Sequence, residues 1–214
     1  DTGLIFRRPS RHAFTVGISV ALIGLLWTCT GFAQVSENQL KATFVLRATE
    51  FVSWPTPARD ELGEALSVCL LGTVSFETQL AQLSDRPLGN GQNLRMTKRT
   101  PDAPLDDCHV VFLGDIGQSA VERVLARARD RAILTVSELA DFAQNGGIMQ
   151  IRFERSQDSS NRLGDLLVRF TINVNASRRA NLQISSRLLR VATLVEDGAD
   201  TDPNRIGPDG LLVR

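Results

Sequence analysis

"DCHVVFLG", residues 107–114, holds four apolar residues between an Asp-Cys-His tripeptide and a glycine. A run this short, apolar on every position, suits a strand buried on both faces rather than an amphipathic helix. An earlier stretch, "LSVCLLG" (66–72), has the same form and also ends in Leu-Gly, and "AILTV" (132–136) is a third short apolar run. Helical patterns separate them. One runs from Ser75 to about Leu83. The other, Ser119 to Arg129, puts Val121, Val124, Leu125 and Ala128 on one face and arginines on the other. Buried strands alternating with such helices predict an α/β fold, a single domain with a mixed, largely parallel β-sheet flanked by helices.

The flanking sequence extends this pattern. "SENQLKATFVLRATEFVSWP" (36–55) predicts an opening helix capped by Ser36, with Leu40, Phe44, Ala48, Phe51 and Val52 at helical spacing. Pro55 ends it, because a residue before proline avoids helical geometry. "RPLGNGQN" (86–93) is a turn and "LRMTKR" (94–99) an exposed or edge strand. "SELADFAQNGG" (137–147) reads as a helix with Ser137 as N-cap and Gly146 at its end. "IMQIRFE" (148–154) and "LLVRFTIN" (166–173), joined by a polar loop, predict a late antiparallel hairpin. A short helix, a turn and a second helix capped by Ser185 follow. The tail, residues 196–214, is rich in Pro, Gly and Asp and is expected to be disordered.

Residues 1–33 have another character. Arg7, Arg8 and Arg11 precede the apolar run Ala13–Ala33, which ends in small residues at Gly31 and Ala33. This is the layout of a secretory signal peptide cut after Ala33, and no stop-transfer charges follow it. Because the sequence opens on Asp1, its natural start is expected further upstream. Cys29 follows Trp27 and Thr28, a poor lipoprotein signal, so it is expected to leave with the signal. The full sequence has 214 residues and no formal net charge, which argues against a nucleic-acid partner. Beyond residue 33 remain Cys69, Cys108 and His109, and export puts these cysteines in a compartment that permits disulfides.

Candidate chemistry is sparse. Gly72 and Gly114 end strands where α/β proteins bind ligands, but neither lies in a phosphate-cradling motif. Ser119 in "GQSAV" lacks the closing glycine of a nucleophile elbow and suits a helix cap. Cys69, Cys108 and His109 could supply zinc ligands by count, although two cysteines in an oxidising compartment favour a disulfide. No metal, cofactor or catalytic residue is therefore assigned. Trp54 is either a partly buried anchor or a binding hot spot. Arg178, Arg179, Arg187 and Arg190 are either solvated helix faces or a partner surface.

In this order, "LKATFVLRATEFVSWP", "LSVCLLG", "DCHVVFLG", "AILTVSELADFAQNGGIMQIRFE" and "VRFTINVNASRRANLQISSRLLRVA" resemble the YfiR family of bacterial periplasmic proteins, from about Leu40 to Ala192. The resemblance implies an exported, non-enzymatic regulator. Its expected partner is the periplasmic sensory domain of an inner-membrane diguanylate cyclase. Repressing that cyclase would lower cyclic-di-GMP and biofilm formation. An outer-membrane lipoprotein able to sequester the repressor and a homodimer are also implied. So is partner contact around Thr171, Asn173, Arg178 and Arg179, with Thr171 standing where the family pattern suggests an acidic residue. Cys69 and Cys108 match a family disulfide, while Ala143 and Gln150 stand where some members carry a second pair.

If the two Leu-Gly strands are parallel neighbours, Cys69 and Cys108 fall near one end of the sheet and can pair. A different class of function stays open: a small-molecule sensor using the strand ends near Gly72 and Gly114, serving another membrane signalling protein. A third, a hydrolase using His109, has no supporting arrangement of residues.

Overall fold

The computed structural model describes residues 36–55, 65–84, 93–155 and 166–196. The elements in chain order are α1 (Glu37–Thr49), β1 (Val52–Ser53), β2 (Ala65–Leu71), α2 (Glu77–Leu83), β3 (Asn93–Arg99), β4 (Val110–Leu113) and α3 (Gln118–Ala128). Then come β5 (Leu134–Ser137), β6 (Met149–Arg155), β7 (Leu166–Asn173), α4 (Val174–Arg179), β8 (Gln183–Ile184), α5 (Ser186–Leu189) and β9 (Thr193–Val195). The expected signal segment, the Gly89-Asn90-Gly91 turn, the loop between β6 and β7 and the tail from residue 197 lie outside the described residues.

Seven strands form one sheet in the order β3-β2-β4-β5-β6-β7-β9. Neighbours from β3 to β6 are parallel, β6 and β7 form the antiparallel hairpin, and β9 runs parallel to β7. The α/β class, the parallel centre and the late hairpin are as the sequence predicts.

Strand alternation divides the buried side chains between two layers. Leu66, Val68, Leu70, Val110, Phe112, Val136, Met149, Ile151 and Ile172 pack with residues of α1, α2, α4 and α5 on one face. Phe76 meets Phe112 edge-on there, with ring centroids 5.1 Å apart. Cys69, Leu71, Val111 and Leu113 face the other way, against Val121, Val124 and Ala128 of α3 and against Phe142. Both faces of β2 and β4 are thus covered, which explains their unbroken apolar runs.

Three expectations are corrected. The first helix stops at Thr49, not at Pro55. The chain then pairs Val52 with Ile184 in a two-stranded ladder, and Ser185 N donates to Phe51 O at 2.8 Å, so backbone pairing outcompetes further helix. Its buried face is Ala42, Val45, Leu46, Ala48 and Thr49, while Phe51 stays exposed.

The predicted helix over residues 137–147 is a series of turns. Ser137 closes β5 instead of capping a helix. Its hydroxyl donates to Leu113 O at 2.7 Å and accepts from Leu139 N at 3.0 Å. Asp141 takes a left-handed φ of 54°, which breaks helical continuity. The last predicted helix is also short: α5 ends at Leu189 and the chain re-enters the sheet as β9.

Candidate partner surface and neighbouring cleft

Cys69 and Cys108 form a disulfide with a Cα–Cα distance of 5.8 Å. Their placement follows from β2 and β4 lying side by side with Cys69 opposite Val111. Both cysteines are buried in the second core layer. The preceding loop is clasped by arginines. Arg99 donates to Pro104 O and to Asp107 Oδ2, Arg127 donates to the carbonyls of Pro101, Asp102 and Ala103, and Arg131 donates to Asp106. The Arg99 hydrogen bond holds the Asp107 carboxyl below the usual carboxylate range.

His109 is built into this strand pairing. Its Nδ1 accepts from Ser67 N at 3.0 Å, and its own backbone N–H donates to Ser67 O at 3.0 Å. An accepting Nδ1 carries no proton, so the geometry assigns the neutral ring's hydrogen to Nε2. The ring thereby extends the ladder between β2 and β4.

The strand ends at Gly72 and Gly114 are closed against each other. A Cβ on Gly114 would lie 2.2 Å from Thr73 O, and one on Gly72 would lie 2.3 Å from Ile116 Cγ2. Gly114 N donates to Leu71 O at 2.8 Å. The glycines therefore permit backbone contact at the end where a ligand crevice was expected.

Concave surface occurs at the opposite end of the sheet. A cleft of about 410 Å³ lies between the end of α3, the 144–146 turn and α4, and its lining includes Arg129, Asp130, Gln144, Asn145, Ile148 and Arg179. This volume falls within the range of ligand sites.

The expected partner residues occupy unlike environments. Asn173 is fully buried. Its Oδ1 accepts from Ala176 N at 2.8 Å, capping α4, and its Nδ2 donates to Ala143 O at 2.8 Å. Asn173 therefore offers no surface to a partner and instead sets the start of α4. That helix presents Arg178 to solvent and half-buries Arg179 at the cleft. Thr171 is half-buried on β7, opposite Gln150 of β6 and Thr193 of β9.

Trp54 is half-buried against the first core layer, two residues beyond Val52, and its indole Nε1 is buried without a hydrogen-bond partner among the described residues. The path β7–α4–β8, with β8 paired to β1, links the Thr171–Arg179 stretch to Trp54 through backbone structure. Ala143 and Gln150 are both buried, with Gln150 Oε1 unpartnered among the described residues. Sequence reasoning missed β9 and the exposure beside it: Val191 is 70% and Leu194 51% exposed. The Thr-Leu-Val triplet, favourable for a strand, is the signal that points to it.

A family model described as YfiR/HmsC-like matches residues 38–193. No curated protein matches the chain. Among solved structures, a conserved domain protein from Vibrio cholerae O1 biovar El Tor aligns at 14% identity with a TM-score of 0.49, over 74% of this chain and 60% of that one. The ABC domain in complex with L-Trp from Streptococcus pneumonia aligns at 8% identity with a TM-score of 0.44, again over 74% and 60%. The chain thus spans less than two thirds of either solved chain.

Proposed function

The chain belongs to the YfiR/HmsC-like family, and from that premise we propose that it is a periplasmic, non-enzymatic regulator. In this reading it binds the periplasmic sensory domain of an inner-membrane diguanylate cyclase and represses it. Cyclic-di-GMP and biofilm formation fall as a result. The observation that carries the reading is the extent of the family match, from the first turn of α1 to the first residue of β9. Among the described residues, no helix is long and apolar enough to cross a membrane.

Thr171, Arg178, Arg179 and Trp54 are proposed to lie at or beside the contact, with Asn173 fixing the helix that carries the two arginines. A sequestering outer-membrane lipoprotein and a homodimer belong to the same proposal. Deleting the gene in its host should raise cyclic-di-GMP and surface attachment. Tagged protein should recover a membrane cyclase from envelope extracts, and adding it to that cyclase should slow turnover. Unchanged cyclic-di-GMP after deletion would count decisively against repression.

The cleft beside Arg179 favours a second reading, a small-molecule sensor module for another membrane signalling protein. Its location replaces the Gly72/Gly114 end as the place for a ligand. Thermal-shift screening with envelope metabolites tests this, using Arg129→Ala to localise any hit. A flat screen removes the support.

A further inference from the structure

The two edges of the seven-stranded sheet are treated differently. One edge is β3, whose Arg95, Lys98 and Arg99 supply the charges that discourage edge-to-edge pairing. The other is β9, Thr193-Leu194-Val195, which carries no charge and has no second neighbour strand among the described residues. Leu194 is 51% exposed on it, and Val191 just ahead is 70% exposed.

The stretch leading into β9 is basic. From Val174 to Val195 the sequence has four arginines, no lysine and no carboxylate. Arg187 and Arg190, on α5 and at its end, are exposed and make no side-chain hydrogen bond or ion pair among the described residues. Elsewhere, Arg47, Arg99, Arg131 and Arg169 each pair with a carboxylate within the chain.

We propose that the β9 edge, with Arg187 and Arg190, is a docking site for an extended acidic segment of a partner protein. The segment adds an eighth strand beside β9. Its backbone takes up the open edge hydrogen bonds, an apolar side chain covers Leu194 or Val191, and its carboxylates meet the arginines. Charge complementarity selects an acidic occupant. Guanidinium groups, with their planar fork of donors, match carboxylates better than lysines would. The proposal rests on the reading of the chain as a protein-binding regulator and adds the character of the partner's contact segment.

The test uses the chain from residue 34 onward and two labelled nonapeptides, one alternating glutamate with valine and one alternating lysine with valine. Fluorescence anisotropy at several salt concentrations is read together with amide hydrogen exchange at residues 193–195. The glutamate peptide should bind, more weakly as salt rises, and should protect the β9 amides. Two exposed ion pairs set the scale for Arg187→Glu/Arg190→Glu, which should weaken binding roughly tenfold. Leu194→Glu should weaken it too while leaving the far-ultraviolet circular dichroism and the Cys69–Cys108 disulfide intact.

Equal binding of the lysine peptide, or protection confined to other strands, overturns the proposal. So does tighter binding to anionic phosphatidylglycerol vesicles than to the peptide, which would make the patch a membrane contact. A dimer abolished by Leu194→Glu overturns it in favour of a second copy as the occupant. Peptide binding that emerges only after Asp197→Asn/Asp200→Asn/Asp202→Asn overturns it in favour of the chain's own acidic stretch. The peptide assay contains no cyclase, so its failure is distinguishable from failure of the repressor reading.

Discussion

Asn173 and Ala143, 30 residues apart, are joined by a buried hydrogen bond from Nδ2 to the backbone carbonyl at 2.8 Å. The same side chain caps α4 through Oδ1. One amide thus ties the end of β7, the start of the arginine-bearing helix and the turns after β5 into a unit. Asn173→Ala leaves Ala143 O without this donor and Ala176 N without its cap. The cap is worth about 1 kcal/mol, and a buried group left unsatisfied costs about 1–3 kcal/mol. Urea unfolding should show a loss of about 2–4 kcal/mol. Asn173→Asp keeps the cap acceptor but sets a buried carboxylate oxygen against the Ala143 carbonyl, so at neutral pH it should cost at least as much as Asn173→Ala. A clearly smaller loss for Asp than for Ala would contradict the donor role assigned to Nδ2.

The disulfide closes a sequence separation of 39 residues in the second core layer. In the chain-entropy model a loop of that size contributes about 4 kcal/mol. Cys69→Ser/Cys108→Ser should therefore lower unfolding free energy by up to about that amount, and by more if the buried hydroxyls lack partners. For the chain from residue 34 onward, mass labelling should find no reactive thiol before reduction and two after reduction in denaturant. One or two thiols labelled in the native, unreduced protein would disprove the pairing in solution.

Gly114 and Thr73 define the closed end of the β2/β4 pair. A methyl group at Gly114 would meet backbone atoms that cannot move without breaking the Gly114 N to Leu71 O bond. Gly114→Ala should destabilise by several kcal/mol, beyond the roughly 1–3 kcal/mol typical of overpacking. Gly117→Ala is a useful control. Gly117 has a positive φ, 78°, which Gly114 does not, and a methyl group there would meet no atom within 4 Å, so only backbone strain applies. Thermal denaturation should rank Gly114→Ala well below Gly117→Ala, and the reverse order would refute the steric account.

The sheet is legible in the sequence because β2, β4 and β5 are short apolar runs buried on both faces, a pattern that survives without tertiary information. The helix expected over residues 137–147 fails because Ser137 has two uses open to it. A lone sequence cannot show that Leu113 O lies within reach of its hydroxyl. The end of α1 is hidden for a similar reason, since β1 exists only because β8, far along the chain, pairs with it. The site is less legible than the fold. Arg178 and Arg179 stand out by composition, whereas Asn173 is marked as a contact only by the family resemblance, and its burial under the start of α4 is visible only in the fold. The open β9 edge escapes notice because three residues are too few for a periodic signal.

Arg99 and Asp107 give the loop before Cys108 a dependence on pH. The hydrogen bond from Arg99 lowers the Asp107 pKa from its ordinary 3.8. A group whose folded pKa is depressed stabilises the fold above its unfolded pKa and loses that contribution as pH falls through the folded value. The contribution is therefore fully present at neutral pH, begins to fade near pH 4 and is gone once the carboxyl protonates in the folded state. The Asp107 side chain is 66% exposed, so solvent screening limits the pair to about 0.2–1 kcal/mol. Asp107→Asn should cost that amount in urea unfolding at pH 7, in low salt, and progressively less as the pH falls below about 4. Because Arg99 also donates to Pro104 O, Arg99→Ala should cost more than Asp107→Asn at pH 7 and should keep part of its cost at pH 2. A pH-independent difference between wild type and Asp107→Asn would show that the carboxylate is not what the arginine holds.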